Sequence, residues 1–181
     1  VLTADGKTMY FTRNNMLGNT RGYDVDKNTK LKIYRAELQN GKWNNIQELP
    51  FNSNDFSTAH PTLNKDGSIL YFASDRPGGY GNSDLWMVTV NGNGYGVPQN
   101  LGPTINTEGR ETFPFINSND ELYFSSDGRI GLGGLDVYGV KIKEDGSFYE
   151  VQNIGEPINS NTDDFAYFID YQTKKGFFSS N

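Results

Sequence analysis

The sequence DGSILYFASD at residues 66–75 recurs in altered form along the chain. Residues 119–127 read NDELYFSSD, residues 5–13 read DGKTMYFTR, and residues 175–181 read KGFFSSN. An Asp-Gly turn followed by β-branched and aromatic residues is typical of a short strand that leaves a tight turn. Successive copies are 61, 52 and 54 residues apart, measured between the shared residues Phe11, Phe72, Phe124 and Phe178. A fixed spacing of this kind indicates a chain built from repeats.

Other phrases recur between these copies in the same order. SDLW at residues 83–86 corresponds to LDVY at 135–138, and LGPTINT at 101–107 corresponds to IGEPINS at 154–160. Asp-Gly, Asn-Gly and Gly-Gly turns separate the phrases and divide each repeat into four candidate strands. In the second repeat these strands are predicted near residues 57–63, 68–74, 83–90 and 95–101.

Four short strands in each repeat are the pattern of a β-propeller blade. The sequence therefore predicts an all-β segment of a β-propeller, with four-stranded antiparallel blades of 52–54 residues and essentially no helix. Residues 1–53 are predicted to form a blade without its first strand, 54–107 and 108–160 complete blades, and 161–181 the first half of a further blade. Propellers close with about four to eight blades, so we expect further blades or a partner chain to complete the ring.

The first repeat is longer than the second by nine residues, and the excess lies within residues 16–30. This polar segment is predicted to be a surface excursion, because exposed loops tolerate insertions. Its DVDKN sequence at residues 24–28 begins like a calcium-binding EF-hand loop. The sixth position is Thr29 instead of Gly and the twelfth is Arg35 instead of Glu, which disfavours calcium there.

Composition excludes several classes of function. The net charge of the 181 residues is −6, and the longest basic cluster is Lys174–Lys175, which disfavours binding of nucleic acid through its phosphates. The chain has no cysteine, so disulfides, thiolate metal sites and cysteine catalysis are excluded.

The sequence also gives little support to catalysis. The single histidine, His60, precedes Pro61 in a predicted strand, and the Gly-x-Ser-x-Gly motif of serine hydrolases is absent. We therefore predict no catalytic residues, no cofactor and no enzyme activity.

Two aspartate pairs flank the Gly-rich turns at an identical spacing of nine residues, Asp75 with Asp84 and Asp127 with Asp136. Their carboxylates are weak candidates for calcium ligands. The alternative is that each carboxylate accepts hydrogen bonds from backbone amides of its own turn. Repetition of the pair in both complete repeats favours the second interpretation.

The same turns carry arginine and tyrosine residues, which are enriched at protein interfaces. The candidate partner surface consists of Arg76, Tyr80, Arg110 and Arg129. The alternative is that these residues lie in solvated turns, with Tyr80 covering a neighbouring strand.

The phrases at residues 66–75 and 83–86 resemble the WD-repeat-like propeller repeats of the TolB type. The longer sequences at residues 74–81, 100–107 and 131–136 are similar to the propeller segment of OmpA-family cell-envelope proteins of Bacteroidota. This family includes PorE-like relatives from type IX secretion and gliding systems. This resemblance implies a periplasmic, outer-membrane-associated protein. It also implies partners among other envelope proteins, such as PorP/SprF-type outer-membrane barrels, with peptidoglycan contacted only through domains outside this chain.

The function expected from these features is non-catalytic protein binding or scaffolding in secretion, gliding or peptidoglycan-anchoring machinery. The alternative is a propeller that binds a carbohydrate or peptide ligand as an accessory to an enzyme. That alternative predicts a central pocket lined by carboxylates, arginine and tryptophan.

Overall fold

The computed structural model describes residues 1–17 and 20–181. Within these ranges the chain forms strands and turns, with no helix, as the repeat pattern predicts. None of the described residues therefore belongs to a helix that is long and apolar enough to cross a membrane. The strands are β1 (Thr8–Asn14), β2 (Met16–Leu17), β3 (Thr20–Arg21), β4 (Leu31–Gln39), β5 (Lys42–Glu48), β6 (Thr58–Leu63), β7 (Ile69–Ser74), β8 (Asp84–Asn91), β9 (Gly94–Tyr95), β10 (Gln99–Asn100), β11 (Glu111–Ile116), β12 (Glu121–Ser126), β13 (Asp136–Lys141), β14 (Gln152–Asn153), β15 (Asp164–Asp170) and β16 (Lys175–Ser180).

The strands form successive antiparallel sheets along the chain. The first contains β1, β4 and β5, the second β6 to β10, the third β11 to β14, and the last β15 and β16. The strands of each sheet lie inside one predicted repeat, although the repeat limits as domain boundaries stay a prediction. The predicted strand at 95–101 is wrong in one respect, because it is split into β9 and β10. Pro98 lies between the two pieces, and proline has no N–H to donate to a strand ladder.

The strand register brings the recurring sequences of each repeat next to each other. Phe72 in β7 pairs with Trp86 in β8, and Phe124 in β12 pairs with Tyr138 in β13. In the first repeat Phe11 pairs with Tyr34. The small β2–β3 hairpin belongs to the insertion at residues 16–30, and most residues from 20 to 28 are exposed. Gly18 and Asn19 lie outside the described residues.

The second sheet buries its two faces against different neighbours. Phe72 and Tyr71 are adjacent in β7, so their side chains point to opposite faces. Phe72 belongs to a cluster shared by the first and second sheets, which contains Tyr10, Ile33, Leu49, Leu63, Leu70, Trp86 and Val88. Tyr71 belongs to a cluster shared by the second and third sheets, which contains Ala73, Leu85, Leu101, Ile105, Ile116, Leu122, Phe124, Tyr138 and Val140. The sheets are therefore stable as a stack, since a single sheet covers neither of its own faces.

An asparagine side chain completes the third strand of the first three repeats, and it is buried in the second and third. The Leu85 N–H donates to Asn106 Oδ1 at 2.8 Å, and Asn106 Nδ2 donates to the Leu85 carbonyl at 3.0 Å. Asn159 makes the same pair of bonds to Val137, both at 2.8 Å. In the first repeat the equivalent bonds join Asn52 to Ile33. The side-chain amide thus takes the place of one residue of a neighbouring strand.

Two kinds of β-bulge interrupt the ladders. The first strands of the second, third and fourth repeats, β6, β11 and β15, each have a register shift next to a residue with positive φ; these residues are His60, Phe113 and Ala166. The outer strand β5 has a register shift against β4 at Asn45, which also has positive φ.

The asparagine bonds predict a measurable loss of stability. We expect Asn106→Ala to lower the free energy of unfolding by about 1–3 kcal/mol, because the buried Leu85 N–H and carbonyl lose their partners. Denaturant unfolding of the two proteins measures the difference. Asn161→Ala is the control, since Asn161 is exposed, and an equal loss in both variants would contradict the role given to Asn106.

Candidate protein-binding rim

The loops between the second and third strands of successive repeats lie side by side along one edge of the stacked sheets. The Asn82 N–H donates to the Gly109 carbonyl at 2.8 Å, and the Leu135 N–H donates to Asp163 Oδ1 at 2.8 Å. Each loop is therefore tied to the segment that begins the next repeat. We call this edge the rim and define it as residues 75–83, 107–110, 127–135 and 160–163.

The Asp84 side chain fixes the first rim loop, residues 75–83, by hydrogen bonds to its backbone. Its buried carboxylate accepts the N–H of Tyr80 at 2.6 Å and the N–H of Gly81 at 3.1 Å. Asn100 Nδ2 donates to the same carboxylate at 2.7 Å. The turn is fixed by its backbone amides, which leaves the Tyr80 side chain free to point outward.

Asp136 holds the second rim loop in the same way. Its buried carboxylate accepts the N–H of Leu132 at 3.0 Å and the N–H of Gly133 at 3.1 Å. These bonds repeat those of Asp84, so Leu132 occupies the position of Tyr80.

Tyr80 and Leu132 each lie between two glycines. A different steric constraint excludes a side chain at each of the two glycine positions. A Cβ atom at Gly79 would collide with the Asp84 carboxylate, whereas one at Gly81 would collide with the Thr107 and Gly109 carbonyls. Gly131 and Gly133 are restricted in the same way, by Asp136 and by the Ser160 and Thr162 carbonyls. The Gly-x-Gly sequence therefore allows each loop to pack closely against a carboxylate on one side and against the next repeat on the other. The side chain between the two glycines is exposed to solvent.

Asp75 and Asp127 accept backbone amides as well, but not from their own turns. Asp75 Oδ1 accepts the Ser57 N–H at 2.5 Å, and Asp127 Oδ1 accepts the Arg110 N–H at 2.6 Å. Burial acts to raise the pKa of Asp127, but the Arg110 amide and guanidinium outweigh it and hold the pKa below its ordinary value. No group of three His, Cys, Asp or Glu side chains is placed to hold a metal ion in the part of the chain that the structure describes. Calcium binding by these aspartates stays a prediction.

Arg76 and Arg129 do not project into solvent as a partner surface requires. The Arg76 guanidinium lies 4.9 Å from the Phe72 ring and 5.3 Å from the Trp86 ring, and it donates to Thr58 Oγ1 and the Phe51 carbonyl. Burial lowers its pKa to about 10.

Arg129 covers the equivalent pair of rings in the third repeat. Its guanidinium lies 5.8 Å from the rings of both Phe124 and Tyr138, and it donates to the Thr104 carbonyl at 2.6 Å. Both arginines therefore join adjacent parts of the fold by hydrogen bonds and cation–π contacts.

Tyr80 and Arg110 are exposed, and the structure adds two residues that the sequence prediction missed. Tyr80 is 52% exposed, Leu132 51% and Ile130 98%. Arg110 is paired with Asp127 through Nε at 2.7 Å. Aligning Gly-Tyr-Gly at 79–81 with Gly-Leu-Gly at 131–133 would have identified Leu132, because the two motifs precede their aspartates by the same distance.

The inner strands β6, β11 and β15 line a separate cavity of about 580 Å3. The His60 and Phe113 rings stack there at 3.9 Å, and His60 Nδ1 lies 2.9 Å from Thr112 Oγ1. The lining side chains are apolar, aromatic, threonine or histidine, without carboxylate or arginine. This cavity differs from the charged, tryptophan-lined pocket that the ligand-binding alternative predicts.

Solved structures with the same arrangement of strands include two TolB proteins. A TolB-type protein from Agrobacterium tumefaciens matches 99% of this chain with a TM-score of 0.55 and 19% identity, and the match covers 56% of that protein. TolB from Acinetobacter baumannii matches 99% with a TM-score of 0.53 and 16% identity, and the match covers 39% of it. An α-L-arabinofuranosidase from Lactobacillus brevis matches 97% with a TM-score of 0.55 and 13% identity, covering 62% of the enzyme.

These matches confirm the predicted fold class, so the chain has a TolB-like β-propeller fold. It spans less than two thirds of the length of each of these three proteins. Both TolB proteins and a glycosidase share the fold, which by itself does not decide between binding and catalysis. No protein-family model and no curated protein matches the chain.

His60 predicts a pH dependence of stability. Burial lowers its pKa from 6.5 to about 4, so the unfolded chain binds a proton at a pH where the folded chain does not. We expect the free energy of unfolding to fall as the pH decreases from about 6.5 to about 4. Denaturant unfolding across this range measures the effect. His60→Asn should reduce the slope, since asparagine tolerates the positive φ and does not titrate; an unchanged slope would contradict the assignment.

Asp84 predicts a structural effect that is independent of calcium. We expect Asp84→Ala to lower the free energy of unfolding by about 1–3 kcal/mol, because the N–H groups of Tyr80 and Gly81 lose their acceptor. Asp66→Ala, which removes an exposed carboxylate from a single turn, should have a smaller effect. A calcium-dependent rise of the melting temperature in the wild type, absent from Asp84→Ala, would show that the aspartate binds metal instead.

Proposed function

We propose that this chain is a non-catalytic, protein-binding part of a β-propeller and that the rim is its binding surface. One observation carries the proposal. In two successive repeats a residue with a large exposed side chain, Tyr80 or Leu132, donates its backbone N–H to a buried carboxylate, which fixes the position of that residue.

The rigidity of the rim favours protein binding. Ordering a flexible loop on association opposes binding, and a loop that is already ordered avoids this loss. Tyr80 on the first rim loop, and Ile130 and Leu132 on the second, also place large side chains in solvent. Buried aromatic and aliphatic anchors dominate the binding energy of protein interfaces, while solvated turns need no such residues.

The inner cavity gives less support to catalysis or sugar binding than the rim gives to protein binding. Glycoside hydrolysis requires two carboxylates that face each other, and the cavity lining has none. His60 is partly buried against Phe113 and bonded to a threonine hydroxyl, so its imidazole lacks the carboxylate partner of a hydrolase triad.

We place the protein in the periplasm, associated with the outer membrane, as a scaffold of secretion, gliding or peptidoglycan-anchoring machinery. The resemblance of residues 74–81 and 131–136 to envelope-protein propellers supports this setting, and so does the TolB-like fold. The proposed partners are other envelope proteins, with PorP/SprF-type barrels as the first candidates, and peptidoglycan is reached only through domains outside this chain.

The rim residues are tested by comparing variants in affinity capture from envelope extracts of the source organism. We expect wild-type protein to retain a partner that Tyr80→Ser and Leu132→Ser lose by at least about tenfold, the loss typical of an interface anchor. Quantitative mass spectrometry of the retained proteins measures the ratio.

Val97→Ser is the matched control, because Val97 is 81% exposed and lies outside the rim, between β9 and β10. Its capture should equal that of the wild type. Retention of the same proteins by all three variants would show that the rim is not the binding surface.

A further inference from the structure

We infer that a cavity between the first and second sheets binds one ring of a neutral sugar. The cavity has a volume of about 430 Å3, and its lining includes Thr8, Tyr10, Arg35, Asp66, Val90 and Asn93. This volume lies within the range of small-molecule sites. We call it the seam cavity.

The seam cavity is separate from the rim and goes beyond the proposed function. The turns at residues 64–68 and 92–93 border it, and they lie at the start of β7 and at the end of β8. The rim loop at residues 75–83 joins the opposite ends of the same two strands. A ligand in the cavity therefore leaves the rim free.

The seam between the first and second sheets is polar at positions where the next seam is apolar. Thr8 is the first residue of β1, and Ile69 is the first residue of β7. Arg35 occupies the position in its third strand that Met87 occupies in the second repeat. Ile69 and Met87 pack against the apolar cluster between the second and third sheets. Stacking of two sheets thus does not require polar side chains at these positions, which favours a role for them in binding.

Arg35 supplies hydrogen-bond donors in the wall of the seam cavity. It is 5% exposed, and its Nη1 donates to Asn93 Oδ1 at 2.6 Å while its Nη2 donates to Glu37 Oε1 at 2.8 Å. Arginine has five N–H groups, so these two bonds leave further donors on the guanidinium. Because Asn93 turns its oxygen to Arg35, its NH2 group is an additional donor at the cavity.

Asp66 supplies an acceptor from the second sheet. Its Oδ1 accepts the hydroxyl of Ser68 at 2.5 Å and the N–H of Ser68 at 2.9 Å. These bonds lower the pKa of Asp66, so the carboxylate is ionised at neutral pH. Both bonds end on Oδ1, which leaves Oδ2 to accept from a ligand.

A neutral ligand with adjacent hydroxyl groups complements these side chains. An anion would be repelled by Asp66, and the charge of Arg35 is already balanced by its ion pair with Glu37. A hydroxyl group both donates and accepts, so one ligand can accept from Arg35 and Asn93 and donate to Asp66. A sugar ring carries several such groups in a small volume. The planar polar groups of arginine, asparagine and aspartate match the spacing of neighbouring hydroxyls on the ring.

Titration of isotope-labelled protein with sugars, followed by two-dimensional NMR, tests the inference. The probes are D-glucose, D-galactose, D-mannose and maltotriose. We expect at least one of them to shift the amide signals of Gly67 and Gly92, which line the cavity, in a saturable manner. Tighter binding of maltotriose than of D-glucose would identify the end of a sugar chain as the ligand, and equal binding would identify a single ring.

Two variants remove the proposed contacts. Asp66→Ala and Arg35→Met should each weaken the binding by at least about tenfold, the loss expected for one hydrogen bond to a charged group. Asp66 lies in an exposed turn, and methionine is the residue that the second repeat has in place of Arg35. Both variants should therefore remain folded, which denaturant unfolding verifies.

Asp145→Ala is the matched control for Asp66→Ala. Asp145 accepts the N–H and the hydroxyl of Ser147 at 2.9 and 2.6 Å in a turn of the third repeat, outside the seam cavity. This variant should bind the sugar like the wild type. An equal loss in both aspartate variants would contradict the inference.

The remaining outcomes also decide the question. Binding of none of the four sugars, or signal shifts confined to the rim or the inner strands, would overturn the inference. Inorganic phosphate or a capped trialanine peptide that shifts Gly67 and Gly92 more strongly than every sugar would assign the cavity to an anion or to a peptide instead. Tyr80→Ser should leave sugar binding unchanged, so this test and that of the rim fail or succeed separately.

Discussion

The architecture depends on the pairing of a buried asparagine amide with the backbone of a third strand. The Asn106 side chain supplies one donor and one acceptor to Leu85, in the spacing that a strand residue would provide. Aspartate lacks the donor, and alanine leaves both buried backbone groups unpaired. Because the same asparagine lies just before Thr107, its position also fixes where the next repeat begins and hence where the rim loops meet their neighbours.

The sequence repeats correctly predicted the all-β fold and the order of the strands along each repeat. This success has a physical reason, since strands depend on alternating side chains and on the residues of local turns. The interruption of the outer strand at Pro98 was missed because the phrase around it aligns well between repeats. The partners of Asp75 and Asp127 were missed because Ser57 and Arg110 lie in segments distant in sequence, and a spacing within one turn cannot reveal them.

The site was predicted less completely than the fold. Tyr80 and Arg110 are exposed as expected, but Arg76 and Arg129 fold back onto aromatic rings. Arginine has a long apolar stem and a planar charged group that stacks on rings, so its residue type does not determine whether it faces solvent. Leu132 and Ile130 were not predicted, because the candidate surface was chosen by residue type, as arginine and tyrosine. Leu132 is identified instead by its position, which is equivalent to that of Tyr80.

The bulge at Asn45 has a consequence for how this protein behaves at high concentration. A regular outer strand offers a row of unpaired N–H and carbonyl groups to any extended chain that approaches, and this is the first step of fibril growth. In β5 the positive φ of Asn45 and the extra residue break that row near its middle. The outer edge of the first sheet is therefore less able to pair with strands of other molecules, even though the side chains of Trp43 and Ile46 are exposed there.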